Sequence, residues 1–250
     1  MKNSERMSSV NQIVALDKNK HRRHNILTGD LSRSETHHVC QVYVSEFSVL
    51  AGECPIIFLK SKDGDALESC ALLGITPGKN LFWQEGKWQG AYIPATLRAY
   101  PFYLHYKDSI GINPIICIDA SSISLNDFSG VGQRLFNDSG DATPTLLEAS
   151  NLLRGIHQQK IQSREFIRCL TEMDLFQEQV VTVDLPANTK HNLTGVFCVT
   201  KERISELSNS DFLCLREKGY LTAIYAHMFS LHQSGNLSQL FKKYQARVLH

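Results

Sequence analysis

No run of roughly 18 apolar residues, the length a membrane-crossing helix needs, occurs anywhere in the sequence. The longest candidates, Ile110–Ile118 and Leu221–Leu231, are short or broken by polar groups. A transmembrane segment is therefore not expected. A dominant charge is missing too: 26 Lys and Arg stand against 25 Asp and Glu, for a net charge of +1. That balance argues against nucleic acid or an anionic membrane as the main partner. The N-terminus is polar and basic and lacks the apolar stretch of about 7–15 residues that marks a signal peptide.

An even cysteine framework is absent as well. The seven cysteines, Cys40, Cys54, Cys70, Cys117, Cys169, Cys198 and Cys214, are widely spaced. Most sit inside apolar runs, where a free thiol acts as a small hydrophobe. There is no C-x-x-C and no zinc-like Cys/His spacing, so no metal site is expected, and a reduced, cytoplasmic compartment fits best. The common catalytic and phosphate-binding patterns, G-x-S-x-G, H-E-x-x-H, G-x-x-x-x-G-K-[ST] and G-x-G-x-x-G, do not occur, and no cofactor is implied.

What is present is an ordinary globular composition. The 250 residues are 42% hydrophobic and 20% charged, enough to bury a core without a disulfide or a metal. Residues 1–11 read as a disordered N-terminus and 12–250 as a single domain. The cluster Lys18, Lys20, His21, Arg22, Arg23 and His24 reads as a solvated charge run or an anion contact.

From Val39 the pattern is strand-like: VCQVYV, PIIFLK and Ala71–Ile75, with a turn at 60–65. Residues 80–93 read as a hairpin with Glu85-Gly86 as its loop, which sets Trp83 opposite Trp88. By the two-residue period, Leu81, Trp83, Trp88 and Tyr92 share one face, and Phe82, Ala91 and Ile93 the other. Pro94 opens a short helix, and Pro101 closes it. Pro114 opens the strand IICID, ending at Asp119. Residues 121–140 read mostly as loop, with a turn of helix over 131–136.

The second half reads as mainly helical. One helix starts at Thr143-Pro144 and a second at Ser163. Two strands, Val180–Leu185 and Asn192–Thr200, flank a polar turn. Thr200 caps a helix, Ser210 or Asp211 caps the next, and that one ends near Gly219. Residues Tyr220–Gln233 form a further helix ended by Gly235, followed by a basic one. The fold class is α+β, with an antiparallel β-rich N-terminal half and a helical C-terminal half.

The order of these blocks resembles the SapC family. The resemblance rests on Leu16 and His21, on Glu46-Phe47, on Pro55–Phe58 and on Cys117-Ile118-Asp119. It continues with Leu135-Phe136 and Gly140, Leu193-Thr194-Gly195 and GYLTAIYAHMFSL at 219–231. Its most specific block is NLFWQEGKWQGAYIPATLRAYPF at 80–102; one departure is Ser48, which follows Glu46-Phe47 where the family's Glu-Phe-Pro segment has Pro. The resemblance implies a bacterial protein of about this length, associated with the surface layer (S-layer). It brings no catalytic residues. The peptide-uptake permease that shares the family's name is excluded by the lack of spanning segments.

The candidate binding residues are Trp83, Trp88, Tyr92, Arg98, Asp119 and His227. The Trp83/Trp88/Tyr92 face can stack on a ligand or belong to the core. Arg98, between aromatics, can grip a carboxylate or phosphate through its planar fork, or pair with a carboxylate, Asp119 first. Asp119 ends an apolar strand, where sites and loop caps both place a carboxylate. His232 is assigned to the apolar face of the last long helix and His227 beside it, where it can serve in acid–base chemistry. Two functions follow. One is a non-catalytic binding or accessory protein, whose partner is an unidentified protein or small molecule. The other is an intracellular enzyme of peptide or protein modification, which convergence of two or more of Arg98, Asp119, His105 and His227 on one pocket would favour.

Overall fold

The computed structural model describes residues 12–61, 64, 66–106, 114–122, 125–127 and 131–248. The expected disorder of residues 1–11 and part of the expected turn at 60–65 lie outside that range. In chain order the first strands are β1 (Ile13–Ala15), β2 (His24–Ile26), β3 (Val39–Gln41), β4 (Ile56–Lys60) and β5 (Leu67–Leu72). A short helix α1 (Phe47–Leu50) lies between β3 and β4. The hairpin β6 (Trp83–Gln84) and β7 (Lys87–Trp88) and helix α2 (Ala95–Arg98) follow. Then come β8 (Phe102–Tyr106), β9 (Pro114–Asp119), β10 (Leu125–Asp127) and β11 (Gln133–Arg134). The remainder is α3 (Pro144–Glu172), β12 (Phe176–Asp184), β13 (Lys190–Val199), α4 (Lys201–Ser205), α5 (Asn209–Glu217), α6 (Leu221–Ser230) and α7 (Ser234–Val248). The class is α+β, with strands mainly in the first half and helices at the C-terminal end.

The chain divides into two compact units, one of residues 1–30 and 99–157, the other of 31–98 and 158–250. The first unit holds two antiparallel three-stranded sheets, β1-β9-β8 and β10-β2-β11. Its core is Ile26, Phe102, Ile118, Leu135, Phe136 and Leu153 with their neighbours. The turn of helix expected over 131–136 is instead strand and bridge, because β11 pairs with β2. Gly132 makes this approach feasible: it takes φ +92°, and a Cβ there would stand 2.6 Å from the Ile26 carbonyl oxygen.

The second unit is built on the sheet β12-β13-β4-β5-β3. Phe47, Phe58 and Phe166 meet edge to face in its core, with ring centroids 6.0–6.2 Å apart. The strand expected over VCQVYV stops at Gln41. Val42 N–H still donates to the Ser69 carbonyl of β5, and the two amides after it find other acceptors: Tyr43 N–H donates to the Glu46 carboxylate at 2.9 Å and Val44 N–H to Ser163 Oγ at 2.8 Å. Strands β12 and β13 slip register between Gln179 and Val181, where Val180 is left exposed and Gly195 takes φ +71° as a bulge.

Three helix boundaries differ from the sequence reading. Helix α3 is one continuous helix, with Ser163 inside it and not at its start. The cap of α5 is Ser208, whose Oγ accepts from Asp211 N–H at 3.1 Å. Gly235 does not end a helix but lies in the first turn of α7, which follows α6 through a 3-10 turn at Leu231–Gln233. Thr200 caps α4 as expected, accepting from Arg203 N–H. Among the described residues no helix is long and apolar enough to cross a membrane.

Candidate functional site

The hairpin forms because Glu85 and Gly86 both take positive φ, 53° and 71°, the geometry a two-residue loop needs. Trp83 then pairs with Trp88, and Gln84 with Lys87. Both indole rings are half-buried against the core. Phe82, assigned to the opposite face, packs its ring 5.5 Å from that of Trp88. Strand regularity begins only at Trp83, because the buried Asn80 side chain accepts Phe82 N–H at 2.8 Å and bends the backbone there.

Beyond the hairpin, two carboxylates fasten the chain. Trp88 Nε1 donates to the Tyr92 carbonyl at 2.9 Å. The Glu53 carboxylate accepts Ala91 N–H and Tyr92 N–H, each at 3.0 Å. Gly90 leaves room for this arrangement, since a Cβ there would push against the Glu53 carboxylate and the Trp88 indole nitrogen. Burial pushes the Glu53 carboxyl above its ordinary value, and the two amide hydrogen bonds oppose that rise.

Glu46 is 2% exposed. Its Oε2 accepts Tyr43 N–H, and its Oε1 accepts Ala95 N–H at 2.8 Å and the Tyr92 hydroxyl at 3.0 Å. Three donors around one buried carboxylate replace the water it gave up. Burial and then the neighbouring Glu46 charge push the Tyr92 hydroxyl above its ordinary pKa. Arg98, on the exposed end of α2, lays its guanidinium 5.5 Å from the Tyr92 ring centroid. It donates from Nε to the Ile93 carbonyl at 3.1 Å and from Nη2 to the Tyr92 hydroxyl at 3.3 Å. Two of its five N–H groups are thus engaged, and three remain for a ligand or for water.

The other candidates stand apart. Asp119 ends β9, is fully buried, and accepts from Ser121 N–H at 3.0 Å, Ser121 Oγ at 2.6 Å and the Tyr100 hydroxyl at 3.3 Å. It belongs to the first unit and Arg98 to the second, each with its own partners. His105 is exposed in β8. The assignment of the two late histidines to helix faces is reversed. His232 is exposed in the 3-10 turn, and His227 is 0% exposed. His227 Nδ1 donates to the Ile56 carbonyl at 2.8 Å, and its Nε2 accepts Val199 N–H at 3.0 Å. Burial lowers its pKa to about 4, so it is a neutral cross-brace between strand and helix.

The structure therefore brings Trp83, Trp88, Tyr92 and Arg98 into one neighbourhood. Glu46 and Glu53, which the sequence reading left out of the site, organise it. The signal available for Glu46 was a lone carboxylate inside the apolar stretch Tyr43–Leu50. A family model described as SapC matches residues 16–237, nearly the whole chain. No curated protein and no solved structure matches.

Proposed function

The chain belongs to the SapC family, and from that premise we propose that it is a non-catalytic binding or accessory protein associated with the bacterial surface layer, working from the cytoplasm and taking an anionic group of its partner on Arg98. The observation that carries this reading is the setting of Arg98. Its guanidinium is exposed and aimed by Tyr92, which is itself anchored on a buried carboxylate. A planar fork held in this way, with donors to spare, suits a carboxylate or phosphate. Trp88, Tyr92, Asp119 and His227 are engaged in internal hydrogen bonds, which supports their reading as framework. The family match runs through both units, which supports taking residues 12–250 as one SapC-like domain.

The test is co-purification from cell lysate and from an isolated surface-layer fraction, with the native chain and with Arg98→Ala. The reading expects a surface-layer component with the native chain only, at equal melting temperature for the two proteins. If Arg98→Ala changes neither stability nor any recovered partner, Arg98 is an ordinary surface residue and the reading fails.

A further inference from the structure

The second unit carries a groove lined by none of the six candidate binding residues. It has a volume of about 460 Å³, within the range of small-molecule sites. One wall is the sheet, with Val42, Tyr43, Leu67 and Glu68; the other is the second half of α3, with Lys160, Arg164 and Ile167. The apolar members form a floor that suits an apolar body. Tyr43 is 3% exposed, and burial followed by the nearby Glu46 charge pushes its hydroxyl above the ordinary pKa, so it stays a neutral donor.

The charges of the groove are unusual in their pairing. Arg168 also lines it but is tied to Glu165 and Glu172, each at 2.8 Å along the same helix. Lys160 and Arg164, one turn apart on α3, have no ion-pair partner among the described residues, and neither has Glu68 on the sheet wall. Charges of opposite sign thus stand on the two walls around a common apolar floor without neutralising each other. An apolar ligand alone would leave both signs unanswered, and a simple anion would leave Glu68 so.

We propose that this groove binds a small zwitterion with an apolar body, of about the size of a dipeptide, its carboxylate on Lys160 and Arg164 and its ammonium on Glu68. Tyr43 lines the same groove, and its neutral hydroxyl is a further donor for the carboxylate. The site is independent of Arg98, so either assignment can fail without the other.

The probe is leucyl-leucine, with N-acetyl-leucyl-leucine (no ammonium) and leucyl-leucine amide (no carboxylate) as matched controls. Binding to the full chain is followed by the backbone amide shifts of Val42, Tyr43, Glu68 and Arg164. The proposal expects saturable shifts with leucyl-leucine and about tenfold weaker binding of each blocked form, the effect of one lost charge-assisted contact. Arg164→Gln should erase the preference over the amide, and Glu68→Gln the preference over the acetylated form. Both variants change groove-lining residues and should keep the native melting temperature; if Arg164→Gln does not, Lys160→Gln replaces it and is read in the same way, and if Glu68→Gln does not, Glu68→Asp replaces it and should weaken leucyl-leucine without affecting the acetylated form. Saturable binding of all three probes with equal affinity overturns the charge assignment. No saturable shift at those four residues overturns the site.

Discussion

Tyr92 stands between Arg98 and Glu46: its hydroxyl accepts from Arg98 Nη2 at 3.3 Å and donates to Glu46 Oε1 at 3.0 Å. A surface cation is thereby linked to a buried carboxylate through one oxygen. The two ends of this link differ in burial, and so they should differ in what their removal does.

At the buried end, Glu46→Ala strands Tyr43 N–H, Ala95 N–H and the Tyr92 hydroxyl at once. A loss on the order of 3 kcal/mol or more is expected, as for one partner removed from a buried charged network. Tyr92→Phe removes a single hydroxyl and should cost about 1–2 kcal/mol. Urea unfolding at pH 7 measures both. Equal, small losses would show that Glu46 does not anchor the segment.

At the exposed end, Arg98→Lys keeps the charge and loses the fork. Because Arg98 lies at the surface, the change should stay within about 0.5 kcal/mol of native stability. A loss of several kcal/mol would reveal a buried ion pair and exclude Arg98 as a ligand-facing group.

His227 gives stability a pH dependence. Its folded pKa, about 4, lies below the ordinary 6.5, so between these values the unfolded chain binds the proton that the folded chain refuses. The contribution is complete above pH 6.5 and is lost as pH falls toward 4, by a total of about 3 kcal/mol. His227→Gln should be less stable at pH 7 and show a flatter stability profile between pH 6.5 and 4. An unchanged slope in that window would mean that His227 is not the group responsible.

All seven cysteines are free, six are buried, and Cys214 is the partly exposed one. Burial pushes the thiols of Cys40, Cys70 and Cys198 up to about 12. At pH 8 a thiol-alkylating reagent should label Cys214 quickly in the native protein and all seven cysteines after unfolding without reductant. A reproducible count of five or fewer in the unfolded protein, read by mass spectrometry, would demonstrate a disulfide.

Local chemistry made the hairpin and several caps legible in the sequence. Glu85-Gly86 between Trp83-Gln84 and Lys87-Trp88, and Thr200 before an amphipathic turn, carry their own geometry. The errors arose where distant residues decide. Ser163 looks like a helix start because serine caps helices, yet its hydroxyl serves Val44, 119 residues away in sequence. Gly235 looks like a helix end, but Asn236 beside it donates to the Glu53 carbonyl at 2.6 Å, and α7 runs on from there. His227 lies beside the face expected to be apolar, and only the arrival of Ile56 and Val199 makes that position the centre of a core. Of the site, the aromatic pair and Arg98 were readable from the segment itself. Glu46 and Glu53 were not, because Ala91, Tyr92 and Ala95, which they hold, lie 38–49 residues downstream.

The interleaving of the two units also sets an order of events during synthesis. Ile13 in β1 pairs with Asp119 in β9, 106 residues later, and Phe58 in β4 waits for Phe197 in β13. At about 5–20 residues per second the first strand stays without its partner on the ribosome for roughly 5–20 s. The nascent chain therefore presents unpaired strand edges, Ile13-Val14-Ala15 first, for most of its translation. Yield in cells should respond to elongation rate and chaperone supply more sharply than the stability of the finished protein would suggest.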